Sequence, residues 1–237
     1  MDDFERYGDY NEIEESPKKS LVPKIIKAVA IIICFSVIGL LVFRVYTFNY
    51  YPESMTSLTF TDGLTAYYNE MGGEIEVLTQ KLRARYDDPD KGNFFCDHLR
   101  VVREAGQLQI TLRYNDSLKT ELLESYGIEV DIDDKSLFSF RLYKSGEGGE
   151  TGTLAYTEWD SFMMYRYCKL VFEDVDFGTE NEPVKWIRLE IMIDGVKYTD
   201  KADNIQKDKV FMIPVYENNE DYSKFTEYKL SSSEVPG

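Results

Sequence analysis

From about residue 99 onward, apolar and polar positions alternate over several short stretches, the period expected of half-buried β-strands. Leu108, Ile110, Leu112 and Tyr114 alternate with Gln107, Gln109, Thr111 and Arg113, which predicts a strand with one dry and one wet face. Residues 99–103 read as its hairpin partner, with Glu104-Ala105-Gly106 as the turn. The same alternation recurs at Ile128, Val130 and Ile132, at Phe138, Phe140 and Leu142, and at Ile187, Leu189, Ile191 and Ile193. Residues 165–173 are more continuously apolar and predict a more deeply buried strand. Asp194-Gly195 supplies the positive φ angles of a two-residue hairpin turn. Residues 209–216 predict another strand, which Pro214 restricts to an edge or a bulge because it lacks an N–H for the ladder.

Helical spacing is rarer. Leu118, Leu122 and Tyr126 share one helix face; Asn115 or Asp116 is placed to cap it, and Gly127 to end it. Residues 57–88 carry a mixed pattern. Leu64, Tyr68, Met71, Ile75, Leu78 and Leu82 follow a 4-3 spacing, but Gly72-Gly73 interrupts it, so the preferred reading is a short helix or loop near 62–71 followed by a strand. Many short strands, one short helix and frequent turns predict a mainly β chain, an antiparallel β-sandwich.

One stretch breaks the pattern. Residues 28–43 contain no charge, and Ile25, Ile26, Val45 and Tyr46 extend the run on both sides. About 20 apolar residues cross a hydrocarbon core, and in lipid such a segment must be helical. Lys24, Lys27 and Arg44 flank the span, where long side chains reach the headgroups. Lys18, Lys19, Lys24 and Lys27 precede it, whereas beyond it Arg44 is the sole basic residue before Lys81. The positive-inside rule therefore keeps the N-terminus in the cytoplasm and translocates the rest. No small-x-small cleavage site follows the run, and Cys34 lies mid-run rather than at its end, so an uncleaved anchor is preferred to a secretory or lipoprotein signal. The expected organisation is a disordered cytoplasmic head over 1–24, a transmembrane anchor over 25–46, a juxtamembrane linker or short helix over 47–74, an extracytoplasmic sandwich over 75–230 and a disordered tail over 231–237. Tyr7 and Tyr10 in the head read as part of a solvated tail.

The net charge is −16, with 43 acidic against 27 basic residues. Nearly all of the excess lies beyond the anchor, which argues against nucleic acid as a partner. The expected partners are the lipid bilayer and, outside the cytoplasm, a protein or a glycan.

Candidate chemistry is sparse. The single histidine, His98, lies two residues from Cys96, so on a regular strand both face one way; two ligands are too few for a zinc site. Cys96 and Cys168 are the two cysteines beyond the anchor. A disulfide between them is permitted in a translocated domain, but free core cysteines are the preferred reading. Acidic runs at Asp87-Asp88-Pro89-Asp90, Asp131-Ile132-Asp133-Asp134 and Glu173-Asp174-Val175-Asp176 read first as solvated turns and second as calcium loops. None has EF-hand spacing, and no other cofactor is indicated. Trp159, Phe162 and Tyr165 cluster after the glycine-rich loop at 145–152; exposed, they make an aromatic platform for a glycan or protein, and buried, they are core. The leading functional expectation is a non-catalytic binding or assembly module held at the cell membrane. A carbohydrate-binding module comes second and an envelope hydrolase third.

Overall fold

A computed structural model of the chain describes residues 22–80, 84–85, 94–125, 127, 132–146, 149–179, 181–182, 184–193, 209–217 and 226–230. Residues 1–21 of the head, the acidic run at 87–90, residues 128–131 of the strand expected over 128–132, the Asp194-Gly195 turn and the tail lie outside these residues; residues 22–24, expected in the head, are helical, and Ile132 is buried but in no strand. The chain divides into two compact units between Tyr50 and Tyr51.

The first unit contains one long helix, α1 (Val22–Asn49). At about 1.5 Å per residue it extends about 42 Å. Its segment from Lys24 to Asn49 is long and apolar enough to cross a membrane. Ile25, Ile32, Phe35, Leu40 and Val42 all project their side chains outward with no protein against them.

The second unit is mostly antiparallel β-structure with a few short helices. In chain order it comprises α2 (Glu53–Thr56), α3 (Asp62–Glu70), β1 (Ile75–Gln80), β2 (Ala84–Arg85), β3 (Phe94–Val102), β4 (Gln107–Asn115), α4 (Asp116–Ser125), α5 (Asp134–Leu137), β5 (Phe138–Lys144), β6 (Thr153–Phe162), β7 (Tyr165–Glu173), β8 (Trp186–Ile193), β9 (Lys209–Glu217) and β10 (Thr226–Leu230). The larger sheet runs β10-β1-β3-β4-β7-β6, with β2 also paired to β3; the smaller runs β5-β8-β9. Among the described residues four short helices accompany the strands; one was expected over 115–127, and α3 takes the place of the helix or loop expected near 62–71. α4 is the helix expected over 115–127: Asn115 Oδ1 accepts from the Ser117 N–H, Leu118 and Leu122 are buried, and Gly127 follows with φ +66°. α3 starts at a Thr61 cap, whose hydroxyl accepts from the Leu64 N–H. Gly72 and Gly73, both at positive φ, end it and turn the chain into β1.

The alternating stretches fold as alternation dictates. Phe138, Phe140 and Leu142 are buried while Ser139 and Arg141 are exposed, and Ile187, Leu189, Ile191 and Ile193 repeat the pattern on β8. Together with Leu108, Ile110, Leu112, Tyr114, Cys168, Leu170 and Phe172 they form one buried cluster fed by both sheets. β9 ends the smaller sheet, and its register against β8 shifts beside Pro214, so the proline sits on an edge strand next to a bulge.

The polar positions of β4 do not behave as the alternation predicts. Gln107, Gln109, Thr111 and Arg113 are as deeply buried as their apolar neighbours. Residues 51–71 lie over this second face and close it off from water.

Candidate functional site

The covered face is a row of polar groups matched, one by one, to the segment that covers it. Lys169 on β7 donates from Nζ to the Ser54 carbonyl at 2.7 Å and lies 3.5 Å from Ser57 Oγ. Thr111 on β4 donates to the Met55 carbonyl at 2.7 Å. Gln109 takes Thr59 with both ends of its amide: Oε1 accepts from the Thr59 N–H at 2.9 Å and Nε2 donates to the Thr59 carbonyl at 2.7 Å. Gln107 donates to Thr61 Oγ1 at 2.8 Å, and that hydroxyl in turn donates to Glu173. A segment lying on a sheet without joining it as a strand must satisfy its own backbone groups, and here the side chains of β4 and β7 do so. Met55, fully buried against Tyr165 and Tyr167, supplies the apolar contact.

At the end of the row lies Arg113, only 1% exposed. Its guanidinium is ringed by Tyr165 at 4.9 Å, Tyr51 at 5.1 Å and Phe95 at 5.2 Å, measured to ring centroids. Asp97 Oδ2 stands 3.3 Å away. Aromatic faces attract a desolvated cation, so the three rings and one carboxylate together make this burial tolerable. Burial pushes the Asp97 carboxyl up to about 6, against the opposing pull of Arg113. Burial likewise draws the Lys169 ammonium down to about 8.

The geometry at Asp97 corrects one sequence expectation. The β3–β4 register slips between Cys96 and His98, so Asp97 is the extra residue of a bulge. Cys96 therefore faces the shared core, while His98 lies on the opposite face with its ring 4.6 Å from that of Tyr51. The two do not share a side.

Cys96 and Cys168 are both free and buried. Leu112 of β4 pairs with each of them, so a whole strand separates them. Two strand spacings amount to about 10 Å, beyond the reach of a disulfide. Burial pushes the Cys96 thiol up to about 12, and Cys168 well above the ordinary thiol range.

The three aromatic candidates do not form one platform. Trp159 packs toward the shared core, stacked on Phe138 at 6.1 Å, whereas Phe162 and Tyr165 lie with Met55 on the opposite face of the sheet. Among the acidic runs, Asp134 accepts from Tyr114 Oη at 2.6 Å and from Arg166 Nη1 at 3.1 Å, and pairs with Lys119 at 3.0 Å. Burial and that bond to Asp134 push the Tyr114 phenol well above its ordinary range. Glu173 and Asp176 are engaged by Thr61 and Lys144. Among the described residues no group of three or more His, Cys, Asp or Glu side chains converges for a metal ion.

The chain matches no protein-family model, and neither a curated protein nor a solved structure is similar to it. Its reading therefore rests on its own geometry. The buried polar row was hidden from sequence reasoning because alternation marks only which residues share a face, and not whether another part of the chain covers that face. One signal was available: Gln107, Gln109 and Thr111 are uncharged, whereas a solvated face in a chain this acidic would be expected to carry Asp or Glu.

Proposed function

We propose that this chain is a single-pass protein of the cell membrane whose β domain, an antiparallel sandwich, stands outside the cytoplasm and serves as a non-catalytic binding or assembly module. The observation that carries this reading is α1, whose uncharged stretch over residues 28–43 presents outward apolar side chains that lipid would satisfy. The lysines before the run support a cytoplasmic N-terminus. The shared core of the two sheets supports the sandwich. The places where the perturbed groups are used support a non-catalytic role. Asp97 and Lys169 have the shifted ionisation common to catalytic groups, yet both are buried, Asp97 against Arg113 and Lys169 beneath the segment that carries Ser54 and Ser57. A protein partner is favoured over a glycan because Trp159 turns inward, away from Phe162 and Tyr165.

Protease treatment of intact cells tests location and orientation together. The expected result is loss of the β domain with the N-terminal head protected. A domain that survives on intact cells but is cut in lysed ones, or a chain that alkaline carbonate releases from membranes, overturns the reading.

A further inference from the structure

β6 ends the larger sheet, with β7 on one side and no strand on the other among the described residues. It is long, and most of its residues are exposed or half-buried. The β6–β7 hairpin closes on the two-residue turn Met163-Met164, with Phe162 opposite Tyr165. The pair that closes such a turn is hydrogen-bonded, and pairs alternate from there. The N–H and C=O groups of Ser161, Trp159 and Thr157 therefore point away from β7. The Ser161 N–H agrees with this: it donates to the carboxylate of its own neighbour, Asp160, at 2.7 Å. Such a row of outward backbone groups is a template for another strand.

Its side chains select what that strand must be. Tyr156, Glu158, Asp160 and Phe162 follow one another on the same face, and no basic residue occurs between Thr153 and Phe162. A second copy pairing through β6 would bring acids against acids, which a sheet disfavours. At the turn, Met163 holds φ +55°, a strained value for a side chain of its size, and Met163 and Met164 are 65% and 42% exposed. Strain and two adjacent exposed methionines fit a contact surface better than a bare turn.

We propose that the β6 edge, with the Met163-Met164 tip, is the docking surface of this module, and that its occupant is an extended protein segment with Lys or Arg at alternating positions, added as a further strand of the larger sheet. The occupant's backbone bonds to Thr157, Trp159 and Ser161. Two of its cations lie beside Glu158 and Asp160. This inference rests on the binding-module reading and names its surface and partner class.

The test uses the full-length protein in non-ionic detergent and a fluorescent peptide of alternating lysine and valine, followed by anisotropy. Saturable binding is expected, with a glutamate-for-lysine peptide about tenfold weaker, since two cross-strand pairs change from opposite to like charge. Methylating the peptide nitrogens on the edge that meets β6 should abolish binding, while methylating the other edge should not. Glu158→Lys with Asp160→Lys should reverse the preference between the two peptides. Thr157→Pro, which removes an outward N–H and leaves the β7 ladder intact, should weaken binding, with unchanged tryptophan fluorescence reporting the fold. Equal binding of both peptides, or indifference to which edge is methylated, overturns the proposal even if a variant misfolds, because those arms use the unaltered protein. Self-association that Thr157→Pro abolishes also overturns it, in favour of a second copy. Protease shaving reads the membrane location separately, so failure at this edge leaves the anchored module standing, and the converse also holds.

Discussion

Asp97→Asn is the sharpest test of the covered polar face. In the folded protein this carboxyl is held near 6, against 3.8 for an ordinary aspartate. The sign follows from linkage. The folded state binds the proton more tightly, so between these two values it carries more protons than the unfolded chain, and stability falls as pH rises through that window. The difference of about two pH units corresponds to about 3 kcal/mol, fully developed above pH 6 and absent below the unfolded value. Arg113, at 3.3 Å, already offsets part of the burial cost, so the remainder measures how dry the site is. Urea unfolding of the full-length protein in detergent, followed by the fluorescence of Trp159 and Trp186, gives stability at steps from pH 4 to 7. The stability of the unaltered protein minus that of the variant should fall by about 3 kcal/mol across this range. A difference that stays constant with pH would mean that Asp97 meets water and that residues 51–61 do not seal the face.

Three further outcomes are expected. Lys169→Met should remove a stability gain of about 3 kcal/mol that the unaltered protein makes between pH 8 and 10.5, where its lysine is neutral folded and charged unfolded, and thermal melts across that range read it. Met55→Ala empties a fully buried position and should cost about 2–5 kcal/mol, with limited proteolysis appearing first in residues 51–61. In the folded domain Cys96 and Cys168 should resist a thiol reagent at neutral pH and react on denaturation, with no mass change under reducing conditions, as mass spectrometry will record.

Strands whose two faces differ in chemistry were legible from the sequence. β5 and β8 alternate cleanly because one face meets the shared core and the other meets water. β7 was recognised by its continuous apolar run. β6 was missed: the bulge between Leu154 and Tyr156 breaks its period, and an edge strand has little core to face. β10 was missed because Thr226–Leu230 is short: its alternation consists of Tyr228 and Leu230 alone. The slip at Asp97 reversed the side assigned to His98, because a bulge inserts one residue without any local mark in composition. The covered face was beyond pattern reading for a different reason. Its partner, residues 51–61, is far away in the chain, and the match between them lies in hydrogen bonds rather than in hydrophobicity.

The seal over β4 also decides where this domain begins. Its first strand starts at Ile75, yet the carbonyls that receive Lys169 and Thr111 belong to Ser54 and Met55, and one ring around Arg113 is that of Tyr51. A soluble version trimmed to the first strand would leave Lys169 without its acceptors and Arg113 without one of its rings on a sheet open to water, and would aggregate or unfold. Trimmed just before Tyr51, it keeps Tyr51, Ser54 and Met55 in place over the sheet. The residues that look like a tether are the lid of the core, and expression, crystallisation and any fusion to another anchor must carry them along.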